Sequence, residues 1–291
     1  MKGIILAGGT GSRLYPMTKV VSKQLLPIYD KPMIYYPLSI LLLAGIRDVL
    51  IISNPDMIPF YESLLGAGSR IGIRIEYKIQ ESPRGLAEAL ILGKDFIGND
   101  SVCLILGDNL FYGTHMTTLL QQCMDSVQTE GACILGISVK NPSAFGIVEF
   151  DSDGKVCSIE EKPRYPKSNF AVPGLYFFDN RAPEIAETVT PSERGELEIT
   201  SVIDAYLKLG TLHAEVVGRG LVWLDTGTPG DLLKASEFVE TLQSRQGYYI
   251  SCIEEIAWRR GFISTEVFRS LGEEIKNTEY GKYIISLSEE I

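Results

Sequence analysis

MKGIILAGGTGSRLYPMTK, residues 1–19, decides how the rest of the chain is read. The apolar run GIILA (3–7) has the length of a short strand and breaks into Gly8-Gly9-Thr10-Gly11, with Arg13 and Pro16 beyond. A glycine turn after a buried strand lets backbone N–H groups crowd around an anion, because no Cβ blocks the approach. Three nucleotide-loop patterns compete for this stretch. A phosphate loop needs G-K-[ST], which is absent. The dinucleotide fingerprint needs a third glycine where Ser12-Arg13-Leu14 stands, and that counts against a nicotinamide-dependent oxidoreductase. What remains is G-G-x-G-x-R, with Lys23 ten residues beyond the arginine. An arginine fork grips two phosphate oxygens and a lysine supplies a movable point charge. The pair suits a triphosphate whose negative charge shifts toward departing pyrophosphate.

Working outward, apolar runs of strand length alternate with helical patterns. GIILA, DVLIIS (48–53), IRIEYKI (73–79) and SVCLILG (101–107) read as strands, mostly continuous rather than alternating in polarity, as in a sheet covered on both faces. Helices are expected near 33–45, 56–65 and 85–96, so strand and helix alternate as in parallel βαβ units. ACILGISV (132–139) extends the sheet. FGIVEFDSDGKVCSIEEKP (145–163) reads as a hairpin turning at Asp153-Gly154. Further strands are expected at 174–179, 212–217 and 221–225, with helices near 183–189 and 198–209. From Thr228-Pro229, a good helix start, the pattern is helical to the end. The expected fold is α/β: a Rossmann-like, mostly parallel sheet flanked by helices, with inserted β structure. The expected domains are an α/β domain over 1–227, divided near residue 110 into nucleotide and sugar parts, and a helical extension over 228–291.

The net charge of −10 argues against polymeric nucleic acid, which selects for basic surfaces. Yet residues 1–35 carry Lys2, Arg13, Lys19, Lys23 and Lys31 against Asp30 alone, as a local anion site would require. No run of about eighteen apolar residues offers a membrane span, and the start lacks a signal-peptide layout. Five cysteines without a C-x-x-C pair argue against disulfides or structural zinc and fit a cytoplasmic location. Two histidines suggest no histidine-led mechanism. Asp108 in LGDN and Asp225 in LDTGT each follow a strand, at the edge where α/β sheets bind ligands. Two such carboxylates could share a Mg²⁺ ion, or each could simply cap the turn that follows.

GIILAGGTGSRLYPMTKVVSKQLLPIYDKPMIYYPL, residues 3–38, resembles the opening of the sugar-nucleotide pyrophosphorylases. It carries in order their GG-x-G-x-R-L loop, K-Q-L-L-P segment and KPMIYYPL segment. QESPRGLAEAL (80–90), EEKP, AVPGLYFFD, RGELEIT, WLDTGT and EEIAWRRGF extend the likeness over most of the chain. The resemblance implies a nucleotidyltransferase joining dTTP to glucose 1-phosphate, giving dTDP-glucose and pyrophosphate on the route to dTDP-rhamnose. UTP or another nucleotide is the near alternative, and a non-catalytic, nucleotide-sugar-binding regulatory relative is a further one. By the resemblance, Arg13, Lys23, Asp108 and Asp225 are catalytic, and the two aspartates hold Mg²⁺. Gly8, Gly9, Gly11, Arg13, Lys23, Gln24, Gln80, Pro83, Gly85 and Asp108 would bind nucleotide. Asn109, Gly146, Glu161, Lys162 and Val172 would bind the sugar phosphate. Glu196 and Glu198 are candidates for the sugar pocket, Glu198 being equally readable as a helix cap, and Trp223 as core or pocket wall. The tail implies a homotetramer with feedback by dTDP-rhamnose, at a site including Tyr112, Gly113, Glu255 and Arg259. Arg84 stands where the family has aspartate, and Pro173 where it has threonine.

Overall fold

The computed structural model describes residues 1–128 and 131–290. Strands Arg74–Ile79, Asp48–Ser53, Lys2–Leu6 and Val102–Leu106 lie side by side in that order, all parallel. The apolar runs of the three inner strands are continuous because both faces are covered, whereas the edge strand Arg74–Ile79 alternates and leaves Arg74, Glu76 and Lys78 outside the core, against the expectation of a continuous run. Ile5, Ile51 and Ile105 enter one core cluster with Ile40 and Leu41. Ile4, Leu50 and Leu104 enter another with Leu90 and Ile97. Alternate residues of one strand thus feed two cores, as the period of two dictates.

Past Val102–Leu106 the sheet becomes mixed. Leu175–Phe178 runs antiparallel between that strand and Ala132–Ser138. Phe170–Ala171 and the hairpin Gly146–Phe150/Val156–Glu161 complete that side. Leu212–Val217 pairs parallel to Ala132–Ser138. Flanking helices include Tyr35–Leu43, Ile58–Leu65, Ala182–Thr188 and Ile199–Lys208. The expected α/β sheet flanked by helices is therefore present, wholly parallel on one side and mixed on the other.

One further local expectation changes and two elements are added. The helix expected over 85–96 is two short pieces, Glu88–Leu92 and Lys94–Ile97, meeting at Gly93. A Cβ at Gly93 would lie 2.6 Å from Ile4 Cδ1, so the glycine lets the chain settle onto the first strand. Asn109–Gly113 is an additional strand, to which no element was assigned, and pairs antiparallel with Leu221–Asp225, placing Asp225 opposite Asn109. Met116–Ser126 is an additional helix whose buried residues, Met116, Leu120 and Cys123, fall on one face.

The tail forms helices Pro229–Gln246, Ile253–Arg259, Thr265–Glu274 and Glu279–Glu289. Thr228 caps the first, its Oγ1 accepting the Asp231 N–H at 3.2 Å. The tail shares its core with the first forty residues: Ala235, Val239 and Ile250 pack with Ile28, Met33 and Tyr36. At this seam Lys31 is buried, its Nζ 2.5 Å from Asp30 Oδ1 and 3.3 Å from Gln243 Oε1. The Tyr36, Tyr249 and Tyr280 rings surround it at 5.5, 5.6 and 5.8 Å. Burial holds its pKa below the ordinary lysine value, opposed by Asp30. Among the described residues, Cys103, Cys123, Cys133 and Cys252 are buried free thiols, Cys157 is exposed, and no helix is long and apolar enough to cross a membrane.

Candidate active site

The first strand ends against its neighbour, with Ala7 N–H on Ile52 O, and the glycine loop rises from there. Its three glycines have different reasons. A Cβ on Gly8 would lie 2.5 Å from Gln80 Oε1, and one on Gly11 would lie 3.1 Å from the Thr18 side chain. Gly9, at φ 99°, has nothing within 4 Å of that position, and Asn54 holds its backbone from below through N–H and C=O. A side chain at Gly8 would displace the Gln80 amide and one at Gly11 would crowd Thr18, whereas Gly9 has room for one and is favoured by its positive φ alone. Arg13 follows in a single 3₁₀ turn, Ser12–Leu14, and Lys23 in another, Lys23–Leu25.

Lys23 Nζ meets Asp108 Oδ2 at 2.6 Å, and Asn109 Nδ2 donates to Asp108 Oδ1 at 3.0 Å. The pairing of Asn109–Gly113 with Leu221–Asp225 carries Asp225 to the same place, and Thr226 Oγ1 ties the junction by donating to Asp108 O at 2.9 Å. A Cβ on Gly227 would sit 3.3 and 3.4 Å from the two Asp225 oxygens and 3.5 Å from Arg13 Nη1, so this glycine fills the space between acid and guanidinium. Burial, and then the Asp108 charge, push the Asp225 carboxyl above the ordinary value, against the pull of Lys23 and Arg13. Among the described residues no side chain bonds to or pairs with the Asp225 carboxylate.

Two cavities open on this junction. The first, about 460 Å³, is lined by Gly8, Gly9, Gly11, Gln24, Gln80, Pro83 and Gly85, with Arg13, Lys23 and Asp108. The second, about 210 Å³, is lined by Asn109, Gly146, Glu161, Lys162, Val172 and Asp225, with Arg13, Lys23 and Asp108 again. These three charged side chains, with Leu86 and Gly227, line both cavities and form the wall between them. All the residues expected at nucleotide and sugar phosphate thus fall around two adjoining chambers. Lys162 is held at φ 44°, a strained setting for a lysine, at the mouth of the second.

The remaining candidates fall as follows within the fold. Glu196 lines the first chamber, not the second. Glu198 lines neither chamber. It stands at the start of helix Ile199–Lys208 without capping it, and accepts instead from Ser192 Oγ at 2.8 Å and Arg194 Nη2 at 2.7 Å. Trp223 is a wall of the second chamber, donating from Nε1 to Asn109 Oδ1 at 2.6 Å while its ring packs 5.0 Å from Phe145. Phe145, Tyr176 and Thr200 also line it and were missed, since each reads as an ordinary strand or helix residue. Tyr112 reaches the Tyr248 hydroxyl and packs on Phe238, and Gly113 lies against Gly220. Glu255 pairs with Arg259 at 2.7 Å and accepts from Tyr283. These two pairs have different neighbours, and neither lines the two chambers.

Asp108 and Asp225 are joined by no third acid, histidine or cysteine: among the described residues no group of three occurs. Two carboxylates, one of them without a partner and destabilised by its neighbour, fit a hard divalent cation whose other ligands are water and phosphate oxygens. They do not fit a closed structural metal site.

A nucleotidyl transferase family model matches residues 2–241. Glucose-1-phosphate thymidylyltransferase of Neisseria meningitidis serogroup A is 55% identical over 287 residues, with 99% of each chain covered. The Mycobacterium tuberculosis enzyme of that name is 51% identical over 289 residues, again with 99% of each covered. A crystal structure of a Bacillus anthracis protein assigned the same activity, in complex with sucrose, superposes with a TM-score of 0.75 at 42% identity, covering 82% of this chain and 94% of that one. UDP-glucose pyrophosphorylase complexed with UDP-glucose, at 22% identity and a TM-score of 0.69, shares the fold. Members of this family act on a nucleoside triphosphate and a sugar phosphate with a divalent metal. The chain belongs to the nucleotidyl transferase family, in its glucose-1-phosphate thymidylyltransferase group.

Proposed function

We propose that this chain converts dTTP and glucose 1-phosphate to dTDP-glucose and pyrophosphate, with Mg²⁺. The observation that carries the reading is the shared wall: two cavities of different lining meet on Arg13, Lys23 and Asp108. The larger takes the nucleotide and the smaller the sugar phosphate, so the sugar phosphate oxygen faces the α-phosphorus across the cationic pair. That oxygen forms the new P–O bond as the bond to the β-phosphate bridging oxygen breaks and pyrophosphate leaves. The chain's contribution is alignment and charge. Gln80 and the backbone at Gly85 orient the base, and Arg13 and Lys23 neutralise the phosphates as charge moves toward the leaving group. Asn109, Glu161 and Val172 seat the hexose, with Lys162 near its phosphate. Asp108 and Asp225 would hold Mg²⁺, which supplies further positive charge to the phosphate oxygens.

The intact set of Arg13, Lys23, Asp108 and Asp225 supports catalysis over a purely regulatory, ligand-binding role. The tail, with Tyr112, Gly113, Glu255 and Arg259, supports a homotetramer with feedback by dTDP-rhamnose, and the free thiols support a cytoplasmic setting. Supplying each nucleoside triphosphate in turn with glucose 1-phosphate and Mg²⁺, and following pyrophosphate release and product mass, tests the reading. Turnover is expected with dTTP. Turnover with UTP alone moves the assignment to uridine, and none with any triphosphate sinks it.

A further inference from the structure

One end of the Gln80 amide is already committed. Its Nε2 donates to Glu88 Oε2 at 2.8 Å. Glu88 is only 3% exposed and also gathers the Arg84 backbone N–H at 3.1 Å, with Arg84 Nε at 2.7 Å and Nη2 at 2.6 Å from Oε1. A carboxylate accepts and does not donate, so Glu88 fixes which end of the amide turns toward it. The other end, Oε1, lies 2.5 Å from the point where a Cβ on Gly8 would sit, and no donor among the described residues reaches it. Gly8 and Gln80 together line the first chamber. A buried amide there shows a permanently oriented acceptor.

We propose that Glu88 is a positioning residue for base choice: by holding Gln80 Nε2 it keeps Oε1 turned toward the base. The proposal rests on the nucleotide reading of that chamber. Thymine and uracil carry N–H at N3, between two carbonyls, whereas cytosine carries a lone pair there. A fixed acceptor welcomes the first and repels the second. The same geometry accounts for Arg84, since an aspartate in its place, in the loop before the helix, would set a like charge against the buried Glu88 carboxylate. Here the arginine saturates Glu88 from the solvent side and leaves its second oxygen to Gln80 and the Arg84 backbone N–H.

The test compares kcat/KM for dTTP and dCTP in the unaltered enzyme, Glu88→Gln and Arg84→Ala, by pyrophosphate release. Glutamine at 88 offers both a donor and an acceptor, so the Gln80 amide is free to turn round. The dTTP/dCTP ratio is expected to fall by about tenfold or more, mainly through KM. Arg84→Ala keeps the carboxylate and is expected to hold the ratio within about twofold. An unchanged ratio in Glu88→Gln, or an equal loss for both nucleotides, overturns the proposal. A second measurement needs no variant: N3-methyl-dTTP, which lacks the N–H, is expected to lose about 100-fold or more in kcat/KM. Turnover of it at the dTTP rate overturns the proposal as well. Failure of the unaltered enzyme with dTTP counts instead against the reaction assigned above. If UTP then serves, the same ratio is read as UTP against CTP.

Discussion

The two chambers are built on opposite plans. In the larger, polar side chains arrive with their orientation settled. Gln80 is tied to Glu88, and Gln24 Oε1 accepts from Ser22 Oγ at 2.6 Å while Ser22 takes the Tyr61 hydroxyl at 2.8 Å. In the smaller, Asn109 is so held, by Gly174 N–H at 3.0 Å and Trp223, beside the shared Asp108. Glu161 has looser company, with Lys162 and Arg194 each 3.4 Å away and largely solvated. A base presents a flat, fixed pattern of donors and acceptors, so a preset amide discriminates well. Hexose hydroxyls rotate, so a carboxylate that settles on binding serves them. One chamber is organised before its ligand comes and the other by its arrival.

The largest effect that sharpens this contrast comes at the wall both chambers share. Asp225→Asn is expected to lower kcat by roughly 100-fold or more, since several kcal/mol of charge stabilisation are lost. Its effect on stability should run the other way. The folded pKa of Asp225 is raised, so between the ordinary carboxylate value and that raised value the folded state binds the proton more tightly. Stability therefore declines as pH rises through that window. Above it, Asp225→Asn is expected to melt no lower than the unaltered protein, and below it the difference should vanish. Thermal melts across pH check this, and a variant that melts well below the unaltered protein at neutral pH contradicts it.

An intermediate effect belongs to the smaller chamber alone. Trp223→Phe removes the Nε1–H donor to Asn109 and keeps an aromatic wall. KM for the sugar phosphate is expected to rise roughly fivefold to tenfold, about 1 kcal/mol for one hydrogen bond, with the nucleotide KM unmoved. Equal rises in both would dissolve the distinction between chambers. The smallest effect lies behind the wall. Thr228→Ala deletes the cap of helix Pro229–Gln246 and is expected to cost about 1 kcal/mol, near 2 °C in Tm, without altering either KM.

The same contrast explains what could be read from the chain. The glycine-loop end of the larger chamber is local, a strand, a glycine turn and two cations within twenty-three residues, so it was legible from periodicity and spacing. The smaller chamber is assembled by distant pairing. Asn109–Gly113 is too short and mixed to stand out as a strand, yet its register with Leu221–Asp225 is what seats Asp225 beside Asp108. The resemblance named the five sugar-side residues, but nothing in their spacing did, and Phe145, Tyr176 and Thr200 passed as structural positions. Glu88 was not singled out, because its contact with Gln80 crosses from a helix start to a strand end and leaves no mark in the spacing.

Lys31 gives the tail a part in all this. Its ammonium group sits beneath Gln243, Tyr249 and Tyr280, and the strand that carries it is paired with Pro27–Ile28, a few residues past Lys23. A chain cut short before residue 243 would strip the shelter from a positive charge and unmoor the segment that delivers Lys23 to Asp108. The terminal helices are thus the roof of the catalytic floor, and shortening this enzyme to its nucleotide-handling half would not leave a smaller working machine.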